Sequence, residues 1–274
     1  MEAPPGLWYF IRAMAVLHVL GTGGATPTAE RDNTAFALEA GSRVALIDCP
    51  GSILLKLRKA GLDRRLLESL LVTHVHPDHI YGLPSLVHGL MLMEGRLRLF
   101  GSRESLEFCR RLLDLFGLRG PKIRMRVEPI EVVPGVRFEV HDGLEAEGIV
   151  VPHTAASLAF HLYYKDSRGG WVVSGDTPPV SEIFDRSGAA DGLVHDCSAP
   201  ERFFVRYPDL RKMHTSALEL GRRAQEAGVS LLVPCHFFGE ADFHLEEVEE
   251  EIRRDYRGRL IIPRDMQTIG LSEV

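Results

Sequence analysis

The run Leu71-Val72-Thr73-His74-Val75-His76-Pro77-Asp78-His79 limits what this chain can fold into more than any other stretch. Three imidazoles and a carboxylate follow directly on an apolar run that reads as a strand. Side chains two apart on a strand share a face, so His74 and His76 converge on one metal. Pro77 has no backbone donor and breaks the strand. That puts Asp78 and His79 at a turn, where they face a second metal from the same loop. Packing alone gives little reason to order these groups behind a buried strand; metal ligation does. The fold must therefore end a strand at a rim that other ligands can reach.

Three other positions repeat the pattern of a ligand type just past an apolar run. His153 follows Ile149-Val150-Val151-Pro152, Asp176 follows Trp171-Val172-Val173-Ser174-Gly175, and His236 follows Leu231-Leu232-Val233-Pro234-Cys235. Strand ends at one rim of a sheet are where sites collect in α/β folds. Singly, each is weak: a lone His is more often hydrogen-bonded than ligating, and Asp176 alone suits a turn. Joined to the first run, they make a constellation. Asp48 also ends an apolar run and reads equally as a turn residue or as a carboxylate that orients a ligating imidazole.

Strand-like and helix-like segments alternate from end to end. Strands are expected at Val16–Leu20, Ala35–Leu38, Arg43–Ile47, Leu70–Thr73, Leu97–Phe100, Trp171–Ser174, Leu193–His195 and Ser230–Val233, with several more between Arg126 and Tyr164. Helices are expected over Ser52–Ala60, Leu83–Met93, Arg103–Phe116, Ser216–Ala227 and Asp242–Tyr256. Strands in one half and again in the other, each with helices, suggest two sheets sandwiched between helical layers. At 274 residues, 45% of them hydrophobic, a single large α/β domain with an ample core is within reach. It is expected to span 15–274, with residues 1–14 an N-terminal extension. The stripe Leu86, Leu90, Met91, Met93 reads as core-facing.

Cys49, Cys109, Cys197 and Cys235 form no close pair and read as reduced, buried thiols of a cytoplasmic protein. The formal charge of −6 does not favour a broad nucleic-acid surface. Arg119, Lys122, Arg124 and Arg126 do fall close together, as a local basic patch or a solvated loop. No stretch approaches the ~18 apolar residues of a membrane span.

The order His-x-His-x-Asp-His, His153, Asp176, His236 resembles the metallo-β-lactamase superfamily. Leu20-Gly21-Thr22-Gly23-Gly24-Ala25-Thr26-Pro27 with Arg31-Asp32-Asn33-Thr34, and Leu46-Ile47-Asp48-Cys49-Pro50-Gly51, are similar to its ribonuclease Z branch. So are His195-Asp196-Cys197-Ser198 and His214-Thr215-Ser216, which resemble the branch's paired motifs His-Glu-Ala-Thr and His-Ser-Thr. The resemblance implies a four-layer αββα sandwich with two metals at one edge. His74, His76 and His153 would hold the first metal, Asp78, His79 and His236 the second, and Asp176 would bridge. Two divalent ions are implied; the ligands suit Zn²⁺, and Mn²⁺ and Fe²⁺ are compatible with them. The branch's members are usually homodimers.

Two such metals can share a hydroxide and clamp an in-line displacement. By resemblance, Asp78 would orient or deprotonate the attacking water. His214 would protonate the leaving oxygen, with Asp196 holding its ring; His195 would pack behind. Two departures narrow the reading. Asp196 stands where the branch has Glu, one methylene longer. Only 22 residues separate His153 from Asp176, where tRNA-processing members carry a long basic arm. The expected activity is therefore phosphodiester hydrolysis of small substrates, such as cyclic nucleotides or cyclic phosphates. The alternatives are a tRNA 3′-end endoribonuclease acting on RNA, hydrolysis of another ester, and a non-catalytic metal-binding scaffold.

Overall fold

The computed structural model describes residues 16–165 and 169–270, so the expected extension at 1–14 lies outside the described residues. The first half lays down β1 (Val16–Gly21), β2 (Ala35–Ala40), β3 (Arg43–Ile47), β4 (Leu67–Leu71), β5 (Gly95–Gly101) and β6 (Met125–Glu131). The second half lays down β7 (Arg137–His141), β8 (Leu144–Val150), β9 (Leu158–Tyr164), β10 (Gly170–Val173), β11 (Gly192–Asp196), β12 (Leu231–Cys235) and β13 (Arg259–Leu260). β14 (Thr268–Gly270) returns to the first sheet. The orders are β14-β1-β2-β3-β4-β5-β6 and β13-β12-β11-β10-β9-β8-β7.

Each sheet begins as an antiparallel meander and continues in parallel. β3, β4, β5 and β6 pair in parallel, as do β10, β11, β12 and β13. Parallel pairing needs a crossover over one face, so helices cover each sheet on one side. They are α1 (Ile53–Lys59), α2 (Pro77–Ile80), α3 (Leu83–Leu90), α4 (Arg103–Leu115), α5 (Ser181–Ser187), α6 (Glu201–Arg206), α7 (Ala217–Glu226) and α8 (Leu245–Asp255). Two of the longer ones open on a serine cap. Ser102 accepts a hydrogen bond from the Ser105 amide to open α4, and Ser216 accepts one from the Glu219 amide to open α7.

Three apolar clusters fill the three interfaces of this sandwich. Leu17, Phe36, Ile47, Leu71, Phe160, Trp171 and Val233 lie between the sheets. Leu46, Leu57, Leu70, Leu86 and Leu90 join the first sheet to its helices, and Val172, Leu193, Leu220 and Ile252 join the second. The inner strands are therefore buried on both faces, which explains their continuous apolar runs, while β6, β7 and β13 at the edges are partly exposed. Trp171 is fully buried among them; truncating such a side chain to alanine costs on the order of 3–5 kcal/mol. Leu86 and Leu90 are core, as the stripe suggested, and all four cysteines are free and buried.

Because β3, β4, β10, β11 and β12 carry parallel pairings, the residues that follow them emerge at one rim. Asp48, His74, Asp176 and His236 lie there, and Asp196 closes β11 at the same end. The N-terminal end of β6, which carries Arg124 and Arg126, belongs to the opposite rim. Among the described residues no helix is long and apolar enough to cross a membrane.

Candidate metal centre

β4 ends at Leu71, earlier than expected, so His74 and His76 leave it in extended chain rather than on the strand. Pro77–Ile80 forms a short helix instead of a turn, with His76 at its N-cap and Pro77 in its first turn, where the missing N–H costs nothing. Strand alternation therefore does not make the two imidazoles meet. They meet by presenting different nitrogens: His74 Nε2 lies 3.1 Å from His76 Nδ1, and His153 Nε2 lies 3.0 Å from the same atom.

Proton accounting shows what this trio lacks. Thr73 Oγ1 donates to Asp48 Oδ2 at 2.7 Å, so toward His74 Nδ1, 3.0 Å away, it can only accept. His153 Nδ1 donates to the Met213 carbonyl at 2.9 Å. His74 and His153 thus each turn a bare Nε2 lone pair toward His76. Burial holds both imidazoles below the ordinary histidine pKa, His74 well below it. Neutral nitrogens converging at this spacing fit a metal ion bonded at ~2.0–2.1 Å.

The second cluster lies alongside. His79 Nε2 is 3.5 Å from Asp78 Oδ2 and 3.3 Å from Asp176 Oδ1, while His236 Nε2 is 3.4 Å from Asp78 Oδ2 and 3.1 Å from Asp176 Oδ2. His79 Nδ1 donates to Asp48 Oδ2 at 2.7 Å. Both Nε2 atoms are buried without a hydrogen-bond partner. Burial works to lower the pKa of His79, but Asp176 and Asp48 outweigh it and raise it well above the ordinary value. Asp176 Oδ2 also lies 3.8 Å from His74 Nε2 and 3.7 Å from His153 Nε2, so one carboxylate touches both clusters. Two orphaned nitrogens facing carboxylates in a buried pocket call for a cation, and the residues present fit divalent metals.

The backbone is shaped to allow this approach. His236 sits at φ 66° and Asp48 at φ 62°, both left-handed. Non-glycine residues adopt that region at a cost, typically at functional sites. Gly24 packs under the His236 ring, where a Cβ would lie 3.2 Å from Cε1.

His214 stands between the clusters, its ring centroid 5.1 Å from that of His153 and 5.2 Å from that of His236. Its Nδ1 lies 2.8 Å from Asp196 Oδ2, and a ring nitrogen of His214 falls within 4.8 Å of ligand atoms of Asp176 and His236. Burial would lower the His214 pKa; the charge and hydrogen bond of Asp196 outweigh it and raise it. Phe238 packs edge-on against His214 at 5.4 Å. His195 is fully buried behind the site, bonded to the Asp196 carbonyl and stacked on Phe184. Every expected site residue is thus brought to one rim. Thr73, Ser198 and the Met213 carbonyl join them without having been singled out for a role, because common hydroxyls and carbonyls carry no spacing signal.

The basic residues Arg119, Arg124 and Arg126 lie around the N-terminal end of β6, away from this rim, and Arg119 and Arg124 pair with Asp114 and Glu94. A hairpin fills the His153–Asp176 interval, with β9 and β10 paired antiparallel.

A family model described as "Anti-Pycsar protein Apyc1" matches residues 15–219. A ribonuclease Z of Mycobacterium sp. (strain KMS) is 28% identical over 246 residues, which cover 82% of this chain and 84% of that protein. The metallo-beta-lactamase fold protein YhfI from Bacillus subtilis superposes with a TM-score of 0.79 at 19% identity, over 94% of this chain and 99% of that one. Human tRNase Z, short form, superposes with a TM-score of 0.72 at 19% identity, over 93% and 98%. At such identities the two structures speak for the fold, which they share.

Proposed function

The chain belongs to the anti-Pycsar protein Apyc1 family, in the ribonuclease Z-like branch of the metallo-β-lactamase superfamily, and we propose on that footing that it hydrolyses small phosphodiesters. Cyclic nucleotides and cyclic phosphates are the leading class. The observation that carries this reading is His214, held by Asp196 at 2.8 Å beside both ligand clusters. An alkoxide leaving from phosphorus needs a proton, and a carboxylate-held imidazole beside the clusters is placed to give it.

His74, His76 and His153 would hold one divalent ion, Asp78, His79 and His236 another, with Asp176 between them; Zn²⁺ suits these ligands first. When bound, the metals supply a nucleophile at neutral pH and positive charge opposite the phosphoryl oxygens. The rest falls to the chain. Asp78, at the mouth of the second cluster, accepts the proton of the attacking water. Asp196 fixes the His214 tautomer and stabilises its imidazolium, and His214 delivers its proton to the leaving oxygen. Phe238 walls the acid from solvent on one side. The 22-residue interval between His153 and Asp176 leaves no length for a tRNA-gripping arm.

Hydrolysis of bis(p-nitrophenyl) phosphate by metal-replete protein, abolished in His74→Ala, tests the general claim; inactivity toward every phosphodiester would sink it. A second reading, a tRNA 3′-end endoribonuclease, is favoured by the curated relatives bearing that name. Cleavage of precursor tRNA with a steep salt dependence would select it.

A further inference from the structure

Two buried carboxylates flank the site, one from each sheet, and they are wired alike. Asp48, following β3, accepts from one imidazole, His79 Nδ1 at 2.7 Å, and from one hydroxyl, Thr73 Oγ1 at 2.7 Å. That hydroxyl reaches a second imidazole, His74 Nδ1, at 3.0 Å. Asp196, closing β11, accepts from His214 Nδ1 at 2.8 Å and from Ser198 Oγ at 2.7 Å. Ser198 Oγ in turn reaches His236 Nδ1 at 3.3 Å.

A hydroxyl has one proton. Ser198 commits it to the ionised carboxylate, where a charge-assisted bond is strongest. Toward His236 it can only accept, so His236 must carry its proton on Nδ1 and turn the Nε2 lone pair to Asp78 and Asp176. The left-handed backbone at His236 and the close approach of Gly24 fix where the ring sits. Neither fixes which nitrogen is bare. We infer that Ser198 is a positioning residue: it locks His236 in the ligating tautomer and, through Asp196, ties the second metal to the acid His214. Thr73 is its counterpart in the other half, acting on His74. Ordering of His236 by a metal thereby orders Ser198, Asp196 and His214 together.

The inference rests on the assignment of His236 to a metal in the reading above. Its test uses no substrate, so a wrong substrate class leaves it standing. Metal-free full-length protein is titrated with Zn²⁺ by calorimetry, comparing wild type, Ser198→Ala and Ser198→Thr. The expected result is a second Zn²⁺ weakened about 10–100-fold in Ser198→Ala, with the first unchanged and the threonine variant restored toward wild type. Equal affinity at both sites in Ser198→Ala and wild type, or an equal loss at both, overturns it. Should the alanine variant not fold, histidine nitrogen NMR of metal-free wild type, read where His236 carries a single ring proton, decides. An Nδ1–H His236 supports the inference and an Nε2–H His236 overturns it.

Discussion

Asp196 Oδ2 meets His214 Nδ1 at 2.8 Å although the side chain is one methylene shorter than the glutamate of the related motif. Backbone and side-chain hydrogen bonds hold the two segments together. Ser198 donates its amide to the Thr215 carbonyl at 3.2 Å, and Thr215 Oγ1 donates to the Thr177 carbonyl at 2.8 Å, drawing the 214–216 segment onto the end of β11. The carboxylate is then held from its other sides by Ser198 Oγ and by the Thr177 amide at 3.0 Å. The shorter side chain thus still reaches the ring at hydrogen-bond distance.

This pair predicts a dependence on the leaving group. An alkoxide leaving oxygen needs a proton, and a general acid is worth about 10²–10⁴-fold. A p-nitrophenolate leaves without one. His214→Ala and Asp196→Asn should lose about that factor in kcat on a cyclic nucleotide and far less on bis(p-nitrophenyl) phosphate. Equal losses on both substrates would mean that His214 binds the phosphoryl group rather than protonating the product.

Chelation should remove activity and stability together. Without a cation, the Nε2 atoms of His79 and His236 stay buried and unpaired, facing the carboxylates of Asp78 and Asp176. Anything that binds the native state alone stabilises it by mass action, ~4 kcal/mol at a thousandfold excess over Kd. Differential scanning calorimetry should show Tm falling on dialysis against chelator and recovering with Zn²⁺. An unchanged Tm would contradict the assignment of the two clusters as metal sites.

The candidate positions outside the His74–His79 run were legible because each stands directly behind an apolar run, and burial of both sheet faces makes those runs continuous. His153, Asp176 and His236 are the three, and the structure brings them beside His74, His76, Asp78 and His79. What was not legible has physical reasons. The choice of Nδ1 at His76 and Nε2 at His74 depends on where β4 ends, and strand ends are poorly marked in sequence. Helices α5 and α6 span only 7 and 6 residues and open without a side-chain cap, so neither period nor capping marks them clearly. The contact of Asp48 with His79, 31 positions away, exists only because β3 and β4 pair in parallel.

Away from the site, His161 sets a pH prediction. It is buried on β9, stacked on Tyr163, with Nδ1 unpartnered. Burial, then the nearby Arg186, depress its pKa to about 4, with Glu147 opposing and Arg137 adding to the fall. An unfolded histidine titrates near ~6.5. Between those values the unfolded chain binds a proton that the folded one does not. The stability is therefore complete above ~6.5 and is lost as pH falls toward about 4. Urea midpoints at about pH 7 and about pH 5 should differ less in His161→Gln than in wild type. An undiminished difference would place the acid sensitivity elsewhere.

Gly175 offers the sharpest test of how backbone geometry serves the centre. It sits at φ +60°, and a Cβ there would lie 2.9 Å from Thr73 Cβ, well inside ordinary contact. The left-handed turn is what lets β10 deliver Asp176 across to the clusters while Thr73 keeps its bonds to Asp48 and His74. Alanine would meet both penalties, the unfavourable conformation and the collision. A residue forced into that region costs on the order of 1–3 kcal/mol. The collision must be relieved by moving Thr73 or Asp176, which disturbs ligands on both sides. Gly175→Ala should lower Tm and weaken both metals, unlike a change at Ser198, which should weaken the second alone. Wild-type affinity at both sites in Gly175→Ala, measured by Zn²⁺ calorimetry, would show that the turn is not what sets the position of Asp176.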